Sequence, residues 1–413
     1  MGVSAQTFLG RNFYRPSAYG AFQAAAQPLG QSDDLVTQII IGQADNGADC
    51  NDATLADSAR FYVFTDYQTA KTVVRGGNLL EAIKHAFAPS TEVGYRQGPQ
   101  FIKAFNVNPN VAATKDLDTT KTANLSTLDA VVAGPGGNLI RVRKVLASKK
   151  IEIGDADGLQ TSPALDFPVM DLQYTGNGTA ATLTVDATGL HVAVTPHGTT
   201  PDGSVSLDVL FADYTNLGDV INKINSTQGY VATAVASYDF PFAKLDAIIT
   251  ADAISVLTVK TLQADAYAEE IFLNGTGLVT YTMAAVRRPL ADMSEFVYLA
   301  TGSTGTPASD AYTDAIEFSE KVTGLYRNIM STNQADQIAF RDSIVRLNSP
   351  EGSNEALGGC GANTSDTLAV RKANAQLLAS EFVVYGLSKF NNYDLNGVSK
   401  LYGGAMLAVL HNA

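Results

Sequence analysis

The side chains best suited to acid–base or metal chemistry in this chain are four histidines, His85, His191, His197 and His411. His85 falls on a predicted amphipathic helix, where a helix-surface position is favoured over a role as a base. His191 and His197 lie in a β-rich segment that offers no nearby cysteine and no third ligand at a zinc spacing. The histidines therefore predict neither a metal site nor a catalytic base.

Two short loops have compositions that suit an ion. The Gly-Ser-Thr-Gly loop at residues 302–305 precedes a helix, but a tight turn before a cap at Ser309 and Asp310 is favoured over an anion site. The Asp-Ala-Asp-Gly loop at residues 155–158 resembles the start of a calcium loop, lacks the later ligands, and predicts a turn between domains. The sequence contains neither a nucleophile-elbow motif nor a phosphate-loop motif. We therefore expect no catalytic residue, no cofactor and no enzymatic activity.

The composition indicates a globular protein with an acidic surface. Of its residues, 46% are hydrophobic and 17% are charged, and the formal net charge is −13. This charge argues against nucleic acid as a partner, because no large basic cluster offsets it. The densest basic group alternates along a predicted strand, which we interpret as a solvated or subunit-facing edge. Its members are Arg141, Arg143, Lys144, Lys149 and Lys150.

The cysteines, the N-terminus and the hydropathy bear on the compartment. Cys50 and Cys360 are far apart in the sequence and signal no disulfide framework, so we expect free thiols in a reducing environment. The N-terminus lacks a signal-peptide pattern, and no apolar run reaches the length of a membrane span. We therefore expect a protein made in a cytoplasm, without membrane insertion.

Hydrophobic periodicity predicts a multidomain α/β (α+β) fold in four parts. Residues 1–35 form an extended N-terminal arm, and residues 36–150 and 291–413 form the two parts of an α/β core. Residues 151–290 form an inserted β-rich domain, because short alternating runs there are separated by Thr, Gly, Asn and Asp.

The last part of the core is predicted to alternate helix and strand. We predict helices at residues 310–329, 366–381 and 401–410, and strands at residues 343–347 and 382–386. The final helix is rich in small residues, which suits close packing.

The N-terminal arm is unusual in its aromatic content. It shows no helical stripe, yet it carries apolar side chains that would be poorly accommodated in water. Those singled out as contact residues are Phe8, Phe13, Tyr14, Tyr19 and Phe22. Because the arm has too few local partners to fold alone, we expect it to bind another copy of the chain.

The order of motifs along the chain resembles one protein family. The first motif is Tyr-Arg-Pro-Ser-Ala-Tyr, in which Ser17 and Ala18 replace the family's usual Gly-Val. The matching segments follow in order at residues 14–19, 39–47, 64–83, 98–107 and 299–312. Taken together, they resemble the contractile tail sheath proteins of bacteriophages.

The resemblance implies a mechanical protein. Sheath subunits form hexameric rings that stack helically around a tail tube, and contraction drives the tube through the host envelope. Extended arms add strands to neighbouring subunits, which makes the aromatic arm the candidate inter-subunit strand. The implied partners are other copies, the tail tube protein, and the baseplate and tail terminator proteins. The implied location is the virion tail, assembled in the cytoplasm of the host bacterium.

Two features depart from the family pattern. Residues 151–290 lie outside the shared core, and we expect them to face outward from the tail. The sequence also stops after an Ala/Gly-rich helix, where the family continues with another α/β segment and a C-terminal arm. Three explanations are open: the sequence is a fragment, a partner supplies the missing segment, or the fold closes differently.

One alternative function is that of another virion surface component, adhesin-like or shell-forming, whose middle domain contacts the host. A hydrolase with an unrecognised site is a third hypothesis.

Overall fold

The computed structural model describes residues 6–8, 11–13, 37–89, 98–120, 123–197, 205–350, 352 and 355–412. The chain divides into two compact units. The first unit combines Met1–Val111 with Ser303–Ala413, and the second is Ala112–Gly302. Helices and sheets occur in both units, so the predicted mixed α/β class is confirmed.

A six-stranded sheet forms the centre of the first unit. Its first five strands run parallel and the last is antiparallel. In spatial order the strands are Val383–Gly386, Leu357–Gly361, Tyr326–Ile329, Thr37–Gly42, Phe101–Asn106 and Tyr62–Phe64. Thr37–Gly42 is buried along its whole length, as expected for a parallel strand with helices on both faces.

Alternation along Thr37–Gly42 separates two apolar layers. Ile39 and Ile41 join one buried cluster, and Ile40 joins the other, because successive side chains of a strand point to opposite faces. The first layer contains residues of helices Ala311–Ser319 and Gln334–Leu347. The second layer contains residues of Tyr67–Val74, Gly77–Phe87 and Gly404–Asn412. A further helix, Leu368–Leu377, leads to the edge strand Val383–Gly386.

Two predicted elements in the C-terminal part are wrong. The helix predicted at residues 310–329 ends at Ser319, and Tyr326–Ile329 is a central strand that pairs in parallel with Thr37–Gly42. The strand predicted at residues 343–347 is the end of helix Gln334–Leu347. Phe340, Ile344 and Leu347 are buried there at helical spacing, so tertiary packing outweighs the β-branched run.

The predicted final helix begins later than expected. It starts at Gly404, and Ser399–Tyr402 instead pairs antiparallel with Phe390–Tyr393. We call these two strands the C-terminal hairpin. The shorter helix still packs closely, as described below.

The second unit contains two apolar cores. The larger core lies among helix Leu217–Asn225 and two sheets. One sheet contains Tyr230–Ala234, Pro168–Tyr174 and Lys260–Gln263, and the other contains Leu207–Leu210, Gly189–Thr195, Ala180–Val185 and Ile254–Ser255.

The smaller core lies among two more sheets and helix Asp265–Gly275. The first of these sheets contains Val279–Thr282, Leu125–Ala130 and Thr114–Asp118. The second contains Leu159–Thr161, Lys150–Gly154, Arg141–Val145 and Val297–Tyr298.

Short 3-10 helices occur in both units, at Asp57–Ala59, Pro135–Leu139, Leu146–Ser148, Phe242–Lys244 and Thr250–Asp252.

The second unit is larger than the inserted domain expected at residues 151–290. Leu125–Ala130 pairs with Val279–Thr282, and Arg141–Val145 pairs with Val297–Tyr298. These long-range pairings join residues on both flanks of the expected segment to the same compact unit.

Candidate assembly site

His85 is buried beneath the C-terminal hairpin. Asn392 donates from Nδ2 to His85 Nδ1 at 3.2 Å, and the ring of Tyr402 contacts His85 edge-on, with 5.2 Å between ring centroids. Burial lowers the pKa of His85 to about 4, so the ring is neutral at pH 7. The predicted helix-surface position is wrong, because the hairpin covers this side of the helix.

His191 lies on the surface of the second unit between two carboxylates. Its Nδ1 is 2.7 Å from Asp208 Oδ1, and its Nε2 is 3.3 Å from Asp186 Oδ1. Burial acts to lower the pKa of His191, but the hydrogen bond to Asp208 and the charge of Asp186 raise it overall. His197 is exposed. Within the described ranges, no group of three or more His, Cys, Asp or Glu side chains could hold a metal ion.

In both loops considered for ion binding, polar groups form hydrogen bonds within the protein. Asn138 accepts from the Gly302 N–H at 2.9 Å and donates to the Gly302 carbonyl at 2.8 Å. Asp155 accepts from the Asp157 N–H at 2.9 Å in the turn that joins Lys150–Gly154 to Leu159–Thr161. The prediction of an interdomain turn is wrong for this loop, because it closes a hairpin within one sheet.

Open α/β sheets hold ligands at the carboxyl ends of their strands, where the strand order reverses. In the first unit this place lies between Thr37–Gly42 and Tyr326–Ile329. There, Asn78 Oδ1 accepts from the Gln43 N–H at 2.8 Å. A Cβ added at Gly42 would lie 2.8 Å from Asn78 Oδ1 and 3.1 Å from Met330 Cγ, which is closer than ordinary van der Waals contact. Side chains of the protein therefore pack tightly against the end of this strand.

The final helix lies directly against the backbone of the sheet. Side chains added at Gly361, Gly386 or Gly404 would overlap the facing backbone, so the helix start and the two strand ends approach without intervening side chains. Tyr402, Met406 and other buried residues then complete the second apolar layer. The small-residue composition predicted close packing, and these glycines provide it.

A buried arginine holds the helix Leu368–Leu377. Arg371 is the helix's buried residue, and its guanidinium donates to the carbonyls of Asp366 at 3.1 Å and Leu387 at 2.9 Å. Leu368 and Leu377 on the same helix remain exposed. Sequence periodicity missed this arrangement, since it predicts that the apolar positions are the buried ones.

The basic group at residues 141–150 is divided between two environments. Lys144 is 3% exposed and pairs with Glu269 at 2.5 Å, while its Nζ also donates to the Leu290 carbonyl at 2.7 Å. Glu269 accepts from the Leu290 N–H at 2.8 Å. The interpretation of the whole group as a solvated edge is therefore wrong for Lys144, which points inward by strand alternation. Arg141 and Arg143 point to the opposite face.

The aromatic arm stays a prediction. Phe8 and Phe13 belong to two short paired strands, Gln6–Phe8 and Arg11–Phe13, of which the backbone alone is described. Tyr14, Tyr19 and Phe22 lie outside the described residues.

Hydropathy along the helices bears on membrane insertion. Over the part of the chain that the structure describes, every helix is too short or too polar to cross a bilayer.

The chain is similar to known tail sheath proteins. It shares 27% identity over 331 residues with the tail sheath protein of Bacillus phage SP01, which covers 75% of this chain and 53% of that protein. The chain thus spans about half the length of this curated relative. No family model matches the chain.

Two solved structures also align with most of the chain. The sheath tail protein of Listeria innocua is 13% identical, with a TM-score of 0.45, over 95% of this chain and 58% of that one. The sheath tail protein of Desulfitobacterium hafniense is 11% identical, with a TM-score of 0.44, over 94% and 61%. The sequence match to the SP01 protein confirms the predicted resemblance to the phage tail sheath proteins.

Proposed function

We propose that this chain is a structural subunit of a contractile phage tail sheath. The observation that carries the proposal is its 27% identity to a tail sheath protein across 75% of the chain. Copies would stack as hexameric rings around a tail tube, and contraction would drive the tube through the host envelope. No residue is assigned a catalytic role.

The proposed partners and location follow from this role. Other copies of the chain, the tail tube protein, and the baseplate and tail terminator proteins would contact it in the virion tail, after assembly in the cytoplasm of the host bacterium. Residues 151–290 would face outward from the tail.

Strand addition is the proposed link between copies. The six-stranded sheet ends at Val383–Gly386, and no described strand pairs with the outer side of this strand. Such an edge offers main-chain hydrogen bonds to an added strand, and side chains on alternate positions fix its register. In this proposal the arm of a neighbouring copy supplies the strand, and its aromatic residues are Phe8, Phe13, Tyr14, Tyr19 and Phe22.

Deletion of residues 2–26 tests the link directly. We expect the shortened chain to fold, because the four apolar clusters of the described residues all lie outside the deleted segment. We also expect it to form no tubes in negative-stain micrographs. A full-length variant with the five aromatic residues of the arm changed to serine should behave alike. A deletion of residues 2–5 is the control and should leave tube formation intact. Tubes formed by the long deletion would contradict the proposed link.

A further inference from the structure

The outer face of one sheet in the second unit combines arginines with aromatic rings. Arg141 and Arg143 both stack on Phe296, with their Cζ atoms 5.0 Å and 4.6 Å from its ring centroid. Tyr298 lies opposite Arg141 in the antiparallel register and is 50% exposed. We call Arg141, Arg143, Phe296 and Tyr298 the basic face.

Arg141 has a positive charge that no described carboxylate of the chain pairs with. Arg143, by contrast, pairs with Glu152 at 2.6 Å across the sheet. A guanidinium is well matched to carboxylates, and arginine and tyrosine carry much of the energy of protein interfaces. The basic face therefore fits a partner that presents carboxylates.

The first unit carries a surface of the opposite charge. Its members lie in the loop after Thr37–Gly42, at the residue before helix Ala311–Ser319, and on that helix. We call these five residues the acidic face: Asp49, Asp52, Asp310, Asp314 and Glu317. Asn51 Nδ2 donates to the Ala311 carbonyl at 2.9 Å, which fixes the loop beside the start of the helix.

The negative charges of Asp52 and Asp314 oppose the ionisation of Asp49. Burial, followed by the negative charges of Asp52 and Asp314, raises the pKa of Asp49, against the opposing effects of the Asn51 N–H and Arg60. A cation from another molecule would relieve this repulsion.

We infer that the basic face of one copy binds the acidic face of a second copy. The inference rests on the proposed function and names the two surfaces that would meet. A net charge of −13 disfavours most contacts between copies, so a contact that sets Arg141 against carboxylates selects one arrangement. The two faces are different surfaces of one chain, so their contact is head-to-tail and can propagate into a helical polymer.

A charge swap in the full-length chain tests the pairing. Arg141→Glu reverses the basic face, and the double variant Asp314→Lys/Glu317→Lys reverses the acidic face. In low-salt sedimentation velocity, each variant alone should self-associate about tenfold or more weakly than the wild type. An equimolar mixture of the two should regain association, because each reversed face then meets the other reversed face.

Two further variants serve as controls for this test. Lys223→Glu, on helix Leu217–Asn225 of the same unit, makes the same change in net charge and should leave self-association unchanged. Tyr298→Ser changes no charge and should also weaken association, which keeps the test valid if Arg141→Glu fails to fold. Circular dichroism and thermal unfolding identify such a failure.

The outcomes separate this inference from the proposed function. Striated tubes formed by folded Arg141→Glu and Tyr298→Ser variants would overturn the inference and leave the proposed function standing. If the wild type forms oligomers but no tubes, and Arg141→Glu abolishes those oligomers, the result would support the inference and contradict the proposed function. A mixture that fails to regain association would overturn the pairing of the two faces. A monomeric wild type at every concentration would contradict both.

Discussion

The buried contacts of the two units are stabilised by different physical means. In the first, Gly404 sets the final helix against the backbone at Gly386, so the contact depends on the absence of side chains. In the second, Lys144 and Glu269 join a strand to a helix through a buried ion pair. The first unit is therefore sensitive to added atoms, and the second to a removed charge.

The largest expected effect comes from one added methyl group. We expect Gly404→Ala to destabilise the first unit by at least about 4 kcal/mol, because the new Cβ would overlap the carbonyl of Gly386, which is backbone and cannot rotate away. Denaturant unfolding and soluble yield measure the loss.

Gly275→Ala is the matched control for this substitution. An added Cβ at Gly275 meets nothing within 4 Å, and the residue ends a helix. We expect a change within about 1 kcal/mol, towards greater stability. Equal losses for the two variants would show that contact with the backbone does not determine the effect.

Removal of one charge should have the next largest effect. Lys144→Met leaves Glu269 buried and without its cation, so we expect the second unit to lose about 3–5 kcal/mol in the free energy of unfolding. The double variant Lys144→Met/Glu269→Gln should recover most of this loss, because the glutamine carbonyl can still accept from the Leu290 N–H. Denaturant unfolding of the three proteins provides the comparison.

The control is the ion pair between Arg143, on the same strand as Lys144, and Glu152 on the adjacent strand. Arg143 and Glu152 face the partly exposed side of the sheet, so Arg143→Met should cost about 1 kcal/mol or less. A loss as large as that of Lys144→Met would contradict the assigned difference between the two faces.

The smallest expected effect is an opposite response of the units to acid. The folded pKa of His85, about 4, lies below its usual value of 6.5, so its contribution to stability is lost as the pH falls from 6.5 to 4. Burial raises the folded pKa of Asp246 from 3.8 to about 6 and that of Glu269 from 4.5 to about 6, so both residues contribute a gain in stability to the second unit as the pH falls below 6. Each effect is limited to about 1.4 kcal/mol per pH unit for one proton.

Hydrogen exchange, corrected for the intrinsic rate at each pH, distinguishes the two responses. As the pH falls from 7 to 5, amides of the C-terminal hairpin should lose protection from exchange. The backbone amide of Ala266, which donates a hydrogen bond to Asp246 Oδ1 at 3.0 Å, should gain protection. His85→Gln should remove the dependence at the hairpin, and Asp246→Asn should remove the part that Asp246 contributes while the part from Glu269 remains. Changes of the same sign in both units would contradict the prediction.

Much of the first unit could be predicted from its sequence, because local pattern and final environment agree there. The run Ile39-Ile40-Ile41 closed by Gly42 predicts a buried strand, and the structure buries every residue of it. Residues 343–347 read as a strand because Ile344 and Val345 are β-branched, but packing against the sheet places them in a helix. His85 reads as a surface residue because the hairpin that covers it lies about 310 positions away in the chain.

The second unit was harder to predict because its pairings are long-range. Strand alternation from Arg141 to Val145 marks Lys144 as an inward position, which was the available signal for its burial. The sequence alone could not identify Glu269 as the partner, since 125 positions separate the two residues. Arg371 is similar, because its acceptors are backbone carbonyls of any residue type.

Negative-stain microscopy of the purified full-length chain at low salt tests the central claim most directly. The account predicts hollow, striated tubes built from stacked rings, which Arg141→Glu prevents and Lys223→Glu does not. Isolated monomers, or closed dimers that never extend into rings or tubes, would contradict the assignment of this chain as a sheath subunit.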